Sequence, residues 1–203
     1  MIRLHGGPRS RAIRPLWLLE ELGVPYECVK TDFAAGATRT PEFLAINPNG
    51  HVPALEDGDV KLFESLAINL YLARRYDDGR GFWPSDVADE GRTWQWTIWA
   101  MTELEEPLVT ALVHRSFLPE AQRDPRKAEQ AEKRHAKRLA VLDGALAGRT
   151  WLVGDGFSVA DLNVASVLWW SSMASLPVAQ SPHAAAWLER CTSRPALARA
   201  LAA

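Results

Sequence analysis

The chain has 203 residues, of which 47% are apolar and 24% are charged, a composition that is ordinary for a globular protein. Its formal net charge of −2 gives no global electrostatic reason to bind nucleic acid or an anionic membrane. The first residues contain no apolar stretch long enough for a signal peptide or a membrane-spanning helix, so we expect a cytoplasmic protein.

The first part of the chain alternates between strand and helix patterns. Apolar and polar residues alternate over 2–5, which predicts a strand. Apolar residues then recur at helical spacing over 13–22, and Gly23 stands where a helix C-cap belongs. The run 26–29 predicts a second strand, and this βαβ order is typical of a small α/β domain.

A hairpin follows, after a loop over 31–40 and one or two helical turns over 41–46. Residues 51–55 and 60–63 flank an Asp-Gly-Asp turn, which is typical of two antiparallel strands. Pro53 cannot donate to a strand ladder, so it indicates an edge strand or an irregular peptide bond. An edge strand can pair with an added peptide, although a plain turn explains the pattern equally well.

Glu64 and Ser65 stand between the last of these strands and a helix predicted over 66–76. The unpaired N–H groups and the dipole at such a helix start favour a bound carboxylate. Glu64 could bind an ammonium group beside it. Together the two residues suit an amino-acid head group that carries both charges, although a serine in this position is more often only a cap.

No strand pattern follows the linker-like residues 77–85, so the second part is predicted to be all-helical. The predicted helices span 88–118, with a bend at Pro107, and 120–146 and 158–176, with shorter helices after Pro182 and Pro195. Ser158 and Asp161 have the spacing of a capping box, for which a structural role is the simplest interpretation. The chain is thus predicted to have two domains, 1–77 and 86–203.

Taken together and in this order, these features resemble the cytosolic glutathione S-transferases, in their bacterial and serine-type form. The resemblance covers essentially the whole chain and depends on the order and spacing of several motifs. It implies a thioredoxin-like N-terminal domain, an all-α bundle after it, a homodimer, and glutathione as co-substrate without a metal. The motifs are the strand and serine-containing loop before Leu16–Gly23, Asn47–Pro48, Val52–Leu55, Glu64–Ser65 and Phe157–Asp161.

The resemblance also implies how glutathione is bound. Val52 would pair its backbone with the cysteinyl part, with Pro53 in the cis form. Glu64 and Ser65 would hold the γ-glutamyl head group. His51 would reach the glycyl carboxylate.

The residue that activates the thiol is the least defined part of this comparison. Ser10 resembles the serine-type activator, and it lies at the start of the first helix because Pro15 delays the regular helix to about Arg11. No tyrosine or cysteine occupies the loop after the first strand. His5 is the alternative activator, and Arg9 and Arg11 either assist electrostatically or are simply solvated.

The function implied is conjugation of the glutathione thiolate to a small, hydrophobic electrophile. The helical domain would bind that electrophile through Trp94, Trp96, Trp99 or His114. Two alternatives stay open: a glutathione-dependent isomerase, dehalogenase or lyase, and a glutathione-binding module without turnover. A thioredoxin-like oxidoreductase is disfavoured because the sequence has no C-x-x-C pair.

Overall fold

The computed structural model describes residues 1–31, 35–173 and 176–203, which form two compact units. The first unit comprises Met1–Trp83 and Arg194–Ala203, and the second comprises Pro84–Ser193. A thioredoxin-like α/β domain followed by an all-helical domain, as predicted, is confirmed. Within the described part of the chain, no helix is both long enough and apolar enough to cross a membrane.

One sheet of four strands forms the centre of the first unit. Its strands are β1 (Ile2–His5), β2 (Tyr26–Val29), β3 (Ala54–Asp57) and β4 (Val60–Phe63), in the spatial order β2-β1-β3-β4. β1 pairs with β2 in parallel and with β3 antiparallel, and β3 pairs antiparallel with β4. A parallel pair needs a crossover, which the helix between β1 and β2 supplies.

The helices of this unit bury their apolar sides. They are α1 (Ile13–Leu22), α2 (Pro41–Leu44), α3 (Ser65–Tyr76) and α9 (Pro195–Ala202), with a 3₁₀ turn at Ala37–Arg39. α1 contacts both α3 and α9, and Trp17 on α1 is fully buried. Gly23 ends α1 in the left-handed conformation that a C-cap glycine favours, as the sequence predicted.

The predicted domains, 1–77 and 86–203, stay a prediction, and the compact units of the structure place Arg194–Ala203 with the first part of the chain. Arg194 and Arg199 hold the C-terminal helix on the first unit, because their guanidinium groups donate to Glu21 at 2.6 and 2.8 Å and to Glu20 at 2.8 Å. Arg80, within the predicted linker, donates to the carbonyl of Leu22 at the end of α1. Long-range ion pairs of this kind leave no periodic signal in the sequence.

β3 begins at Ala54 and not at the predicted residue 51. Pro53 precedes the strand, and β3 lies between β1 and β4, so the interpretation of Pro53 as an edge-strand marker was wrong. The alternative, an irregular peptide bond, is confirmed because Val52–Pro53 is cis. A residue without an N–H cannot enter the ladder of a central strand, which is why pairing starts one residue later.

The second unit consists of helices around the buried α7. Its helices are α4 (Val87–Trp99), α5 (Glu105–Leu112), α6 (Pro125–Leu146), α7 (Val159–Leu168) and α8 (Pro182–Thr192). The predicted helix 88–118 is interrupted by two π-helical segments, Ala100–Leu104 and Val113–Phe117. Pro107 is the third residue of α5, directly after the first π-helical segment, and it cannot donate the backbone hydrogen bond that would continue the helix.

The other two long helices are shorter than predicted. α6 starts at Pro125 and not at 120, because the Asp124 side chain accepts from the first backbone N–H groups of the helix. α7 ends at Leu168, before a 3₁₀ turn at Trp169–Ser171. Residues 174 and 175 of the predicted helix lie outside the described residues.

The predicted capping box at the start of α7 is confirmed, and it does more than cap. The fully buried Asp161 carboxylate accepts from the Ser158 N–H at 3.1 Å and the Ser158 hydroxyl at 3.0 Å. It also accepts from the Leu152 N–H at 2.9 Å and from Trp187 Nε1, on α8, at 2.8 Å. Asp161 therefore joins a loop, α7 and α8 within the core.

Candidate functional site

The register of the sheet brings three segments of the first unit to one edge. His5 at the end of β1 and Phe63 at the end of β4 both pair with Ala54 at the start of β3. The residues just after β1, just before β3 and just after β4 therefore emerge side by side. These segments carry five predicted site residues: Ser10, Val52, Pro53, Glu64 and Ser65.

Val52 presents its backbone at this edge. Among the described residues, no hydrogen bond uses its N–H or C=O group. A Cβ added to Gly6 would lie 3.0 Å from the Cβ of Val52 and 2.8 Å from that of Ala12, at a φ of +115°, so glycine is required there. The close approach at Gly6 thus places Val52 beside the start of the segment that leads to α1.

The loop before Val52 is fixed by one buried side chain. The Asn47 amide donates to the carbonyl of His51 at 2.6 Å, and its oxygen accepts from the Asn49 N–H at 3.0 Å. The Gly50 N–H in turn donates to the Asn47 carbonyl at 2.9 Å. His51 is exposed, and Asn47, known from the sequence only as part of the Asn47–Pro48 motif, holds its carbonyl at a defined position.

Glu64 and Ser65 form the start of α3. Glu64 has φ 69° and ψ 107°, a conformation that non-glycine residues seldom adopt outside constrained sites. Its exposed carboxylate makes no hydrogen bond or ion pair among the described residues. The buried Ser65 hydroxyl accepts from Nη1 of the fully buried Arg14 at 3.1 Å. The start of α3 therefore combines the N-terminus of a helix with the buried Arg14 guanidinium and the exposed Glu64 carboxylate.

Ser10 lies in a turn before α1, which begins at Ile13 and not near Arg11 as predicted. The Ser10 hydroxyl donates to the Gly7 carbonyl at 2.8 Å and accepts from the Ala12 N–H at 3.1 Å. A hydroxyl rotates with little cost, so its proton can be redirected from Gly7 to an anion nearby. The accepted bond from Ala12 strengthens that donation by polarising the hydroxyl.

The alternative activator, His5, is engaged elsewhere. Its Nε2 lies 2.8 Å from Oε1 of Glu56, and this hydrogen bond lowers the pKa of the Glu56 carboxyl. The same oxygen accepts from Arg3 Nη1 at 3.0 Å. The His5 ring is buried against the edge of Phe43, with 5.8 Å between the ring centroids. His5 is therefore part of an ionic cluster on the sheet, whereas Arg9 and Arg11 are exposed.

Two residues that bear on this site were missed by sequence reasoning. Arg39 Nη1 lies 2.7 Å from the point where a Cβ on Gly50 would sit, so this cation stands next to the loop that carries His51. Arg39 falls in the predicted loop 31–40, which has no periodicity to position it. Arg14 falls within the periodic run of α1. The one sequence signal for its role is that a charged residue stands on the buried side of this helix.

The predicted electrophile-binding residues lie on the second unit. Trp94 is 48% exposed, whereas Trp96 is buried and packs edge-to-face on Trp99 with 5.1 Å between ring centroids. Trp96 is therefore mainly a core residue. His114 is half-buried, and its Nδ1 accepts from the Asp124 N–H at 3.2 Å, beside the start of α6. Across the described ranges of both units, no cluster of three or more His, Cys, Asp or Glu side chains could hold a metal.

Comparison with known families gives matches in both units. A family model described as "Glutathione S-transferase, N-terminal domain" matches residues 1–74. A second, described as "Glutathione S-transferase, C-terminal domain", matches residues 106–195.

Curated relatives and solved structures agree with these models. The chain is 36% identical to "Glutathione S-transferase 3" of Zea mays, with 100% of this chain and 94% of that protein covered. It is 33% identical to "Glutathione S-transferase GstB" of Escherichia coli, with 97% and 96% covered. A Pseudomonas putida glutathione transferase, solved with one glutathione disulfide per subunit, superposes with a TM-score of 0.87 at 25% identity, covering 98% of this chain and 90% of that one.

Proposed function

Because this chain belongs to the glutathione S-transferase family, we propose that its first unit binds glutathione as an extended peptide along the edge of the sheet described above. The protein is a glutathione transferase that uses glutathione as co-substrate. In the reaction the thiol loses its proton to solvent, and the sulfur then forms a bond to an electrophilic carbon, from which a leaving group departs with its bonding electron pair or, in an addition, a π electron pair moves to the neighbouring atom. The proposal assigns each part of glutathione to one group of residues.

The observation that carries this proposal is the unused backbone of Val52. A ligand that contains peptide bonds pairs with one N–H and one C=O in the same way as an added strand. The cysteinyl residue of glutathione, at the middle of the tripeptide, is the part that Val52 binds, with Pro53 directing the chain into β3 behind it. Because Gly6 approaches Val52 closely, the thiol then lies near the segment that carries Ser10.

The γ-glutamyl head group occupies the start of α3. Its carboxylate accepts from the free N–H groups of the first helical turn and from the Ser65 hydroxyl, in the field of the Arg14 guanidinium. Its ammonium group pairs with the exposed Glu64 carboxylate. At the opposite end, His51 and Arg39 bind the glycyl carboxylate, since both are exposed and carry or can carry positive charge.

Ser10 is the proposed activator of the thiol. Its hydroxyl turns from the Gly7 carbonyl to the sulfur and donates to the thiolate while it still accepts from Ala12. Ser10 acts as a hydrogen-bond donor and forms no covalent bond itself. His5 is not needed as a base, because its ring is already paired with Glu56.

The remaining parts of the proposal concern the second substrate and the assembly. We assign glutathione binding to residues 1–77 and electrophile binding to the helices of 86–203, with Trp94, Trp99 and His114 as contributors. The electrophile is small and hydrophobic. The protein acts as a cytoplasmic homodimer without a nucleic-acid or membrane partner.

The proposed binding site is tested by calorimetric titration with glutathione. Glu64→Gln removes the charge that pairs with the ammonium group, and a lost charge-assisted hydrogen bond of about 1.5–3 kcal/mol weakens binding roughly ten- to a hundred-fold. Glu42→Gln, at another exposed glutamate, on α2, is the matched control and keeps wild-type affinity. Equal affinities for the two folded variants would remove Glu64 from the site.

A further inference from the structure

The first unit contains a cleft beside Ser10 that the assignment of glutathione leaves unused. Its volume is about 340 Å³, within the range of sites for small organic ligands. The cleft lies between the loop after β1 and the end of β2. It is lined by Gly7, Pro8, Arg9, Ser10, Lys30, Thr31 and Ala203.

Two exposed cations border this cleft. Arg9 and Lys30 are exposed, and neither makes an ion pair or side-chain hydrogen bond among the described residues. Arg199 in the same unit, by contrast, is paired with Glu20 at 2.8 Å. An unpaired positive pair on the rim of a concave site attracts anionic ligands and raises their local concentration.

The two side-chain hydroxyl groups that line the cleft donate to backbone carbonyls. The Thr31 hydroxyl donates to the Val29 carbonyl at 3.0 Å, and the Ser10 hydroxyl donates to Gly7. Pro8 supplies apolar wall. The cleft therefore suits a compact apolar body that carries its charge at one end.

We propose that this cleft receives the electrophile, and that Arg9 and Lys30 select electrophiles that carry a carboxylate or another anionic group. The inference rests on the proposed function, since it places the second substrate next to the serine that stabilises the thiolate. It adds a substrate class and two specificity-determining residues on the first unit. The hydrophobic electrophile expected from the sequence is thus refined to an amphiphilic one.

Two probes that react in the same way separate charge recognition from chemistry. They are 4-chloro-3-nitrobenzoate and its methyl ester. In both, the thiolate attacks the ring carbon that bears chlorine, a C–S bond forms, and chloride leaves with the electron pair of the C–Cl bond. The carboxylate takes no part in the reaction and serves only as the recognised group.

The experiment compares kcat/KM for acid and ester, each divided by its uncatalysed rate with glutathione. We expect wild type to favour the acid, and Arg9→Gln or Lys30→Gln to lower the acid-to-ester ratio about three- to ten-fold each, as expected for partly solvated charge pairs. Raising the ionic strength lowers the wild-type ratio, because exposed charges are screened. Lys137→Gln, an exposed lysine on α6, is the matched control and leaves the ratio unchanged.

The outcomes distinguish this inference from the proposed function. Turnover of the ester with a ratio that neither variant changes, or a wild type that favours the ester, overturns the inference alone. If wild type turns over neither probe with glutathione, the proposed function fails and the inference with it. A lowered ratio in both variants, with the Lys137→Gln ratio unaltered, supports it.

Discussion

Arg14 and Ser65 are 51 residues apart in the chain, yet Nη1 of Arg14 donates to the Ser65 hydroxyl at 3.1 Å inside the first unit. The bond joins α1 to the first residue of α3, and both side chains are buried. A buried guanidinium at a helix N-terminus adds to the positive potential of the helix dipole. The pair therefore links the core of this unit to the place where we assign the γ-glutamyl carboxylate.

Replacing Arg14 is expected to weaken glutathione binding. Arg14→Met removes the charge, keeps much of the buried volume and leaves the Ser65 hydroxyl without this donor. We expect affinity to fall roughly ten-fold, since the lost donor to a charged site is worth about 1.5 kcal/mol. Calorimetry measures this, with Arg14→Lys as a partial rescue. Unaltered affinity in folded Arg14→Met would show that Arg14 has only a structural role.

Asp161→Ala is expected to destabilise the second unit without changing turnover per folded molecule. The carboxylate serves four donors in the core, and each buried donor left unpaired costs about 1–3 kcal/mol. We expect the free energy of unfolding to fall by at least about 3 kcal/mol. Asp155→Ala, on an exposed position of the preceding loop, should change it little. A normal melting temperature with reduced turnover in Asp161→Ala would contradict a structural role.

The stability of the protein should depend on pH through His135. Burial lowers the pKa of this histidine from 6.5 to about 4, and its Nδ1 has no hydrogen-bond partner among the described residues. Between these values the unfolded chain binds a proton that the folded one does not, so stability falls as the pH is lowered through this window. The slope that His135 adds approaches 1.4 kcal/mol per pH unit, to a total of about 3 kcal/mol.

The measurement is the free energy of unfolding from urea titrations between pH 4.5 and 7. His135→Leu should show a flatter dependence than wild type, because the group that titrates only on unfolding is gone. His183→Gln removes an exposed histidine and should follow the wild-type curve. Parallel curves for wild type and His135→Leu would mean that His135 is accessible to protons in the folded state.

We expect the proposed homodimer to bury the side chain of Phe63 in the contact between the subunits. Two other aromatic residues of the first unit are partly buried: the Tyr71 hydroxyl donates to Asp57 at 2.9 Å, and the Arg74 guanidinium lies 5.8 Å from the centroid of the Trp83 ring. Phe63 is 37% exposed on β4, an edge strand of the sheet. Phe63→Ser should raise the dimer dissociation constant at least ten-fold, if the ring loses about 1.5 kcal/mol or more of burial.

Light scattering across a concentration series measures the dissociation constant of the dimer. Phe117→Ser, at a more exposed aromatic position in the second unit, is the control and should leave the dissociation constant as it is. A wild-type monomer at micromolar concentration would exclude the homodimer. A Phe63→Ser dimer of wild-type strength would place the subunit contact elsewhere.

Periodicity predicted most elements of the fold, because each helix and strand buries one side in a regular pattern. Thus α1, α3 and the β1 and β2 strands follow from local sequence. The interruptions of 88–118 by π-helical turns do not, since apolar spacing hardly distinguishes them from an α-helix. The attachment of α9 to the first unit depends on pairs such as Arg199–Glu20, which are 179 residues apart.

Residues of the candidate site could be predicted only where they belong to a short sequence motif. Glu64–Ser65 and Val52–Pro53 stand at recognisable transitions between elements, and the structure places both at the same edge of the sheet. Arg14 belongs to no such motif, because its role depends on which side of α1 faces Ser65. The cleft at Arg9 and Lys30 depends on the meeting of two loops that no local pattern encodes.

The central claim is that Ser10 stabilises the glutathione thiolate. A free thiol has a pKa of about 8.5, and lowering it to about 6.5 needs roughly 2.7 kcal/mol of preference for the anion. One hydroxyl bond to a charged sulfur offers about 1.5–3 kcal/mol. The start of α1 adds about 0.3–1 kcal/mol, so the two together suffice without a general base.

The most direct test is the pKa of the bound thiol, followed by the ultraviolet absorbance of the thiolate in the complex. In wild type it should lie near 6.5, and Ser10→Ala should raise it by at least about one unit, with glutathione affinity nearly intact and conjugation at neutral pH reduced about ten-fold or more. The same pKa in Ser10→Ala and wild type, together with a rise in His5→Ala or Arg11→Ala, would contradict the claim. So would a wild-type complex whose thiol keeps the pKa of free glutathione.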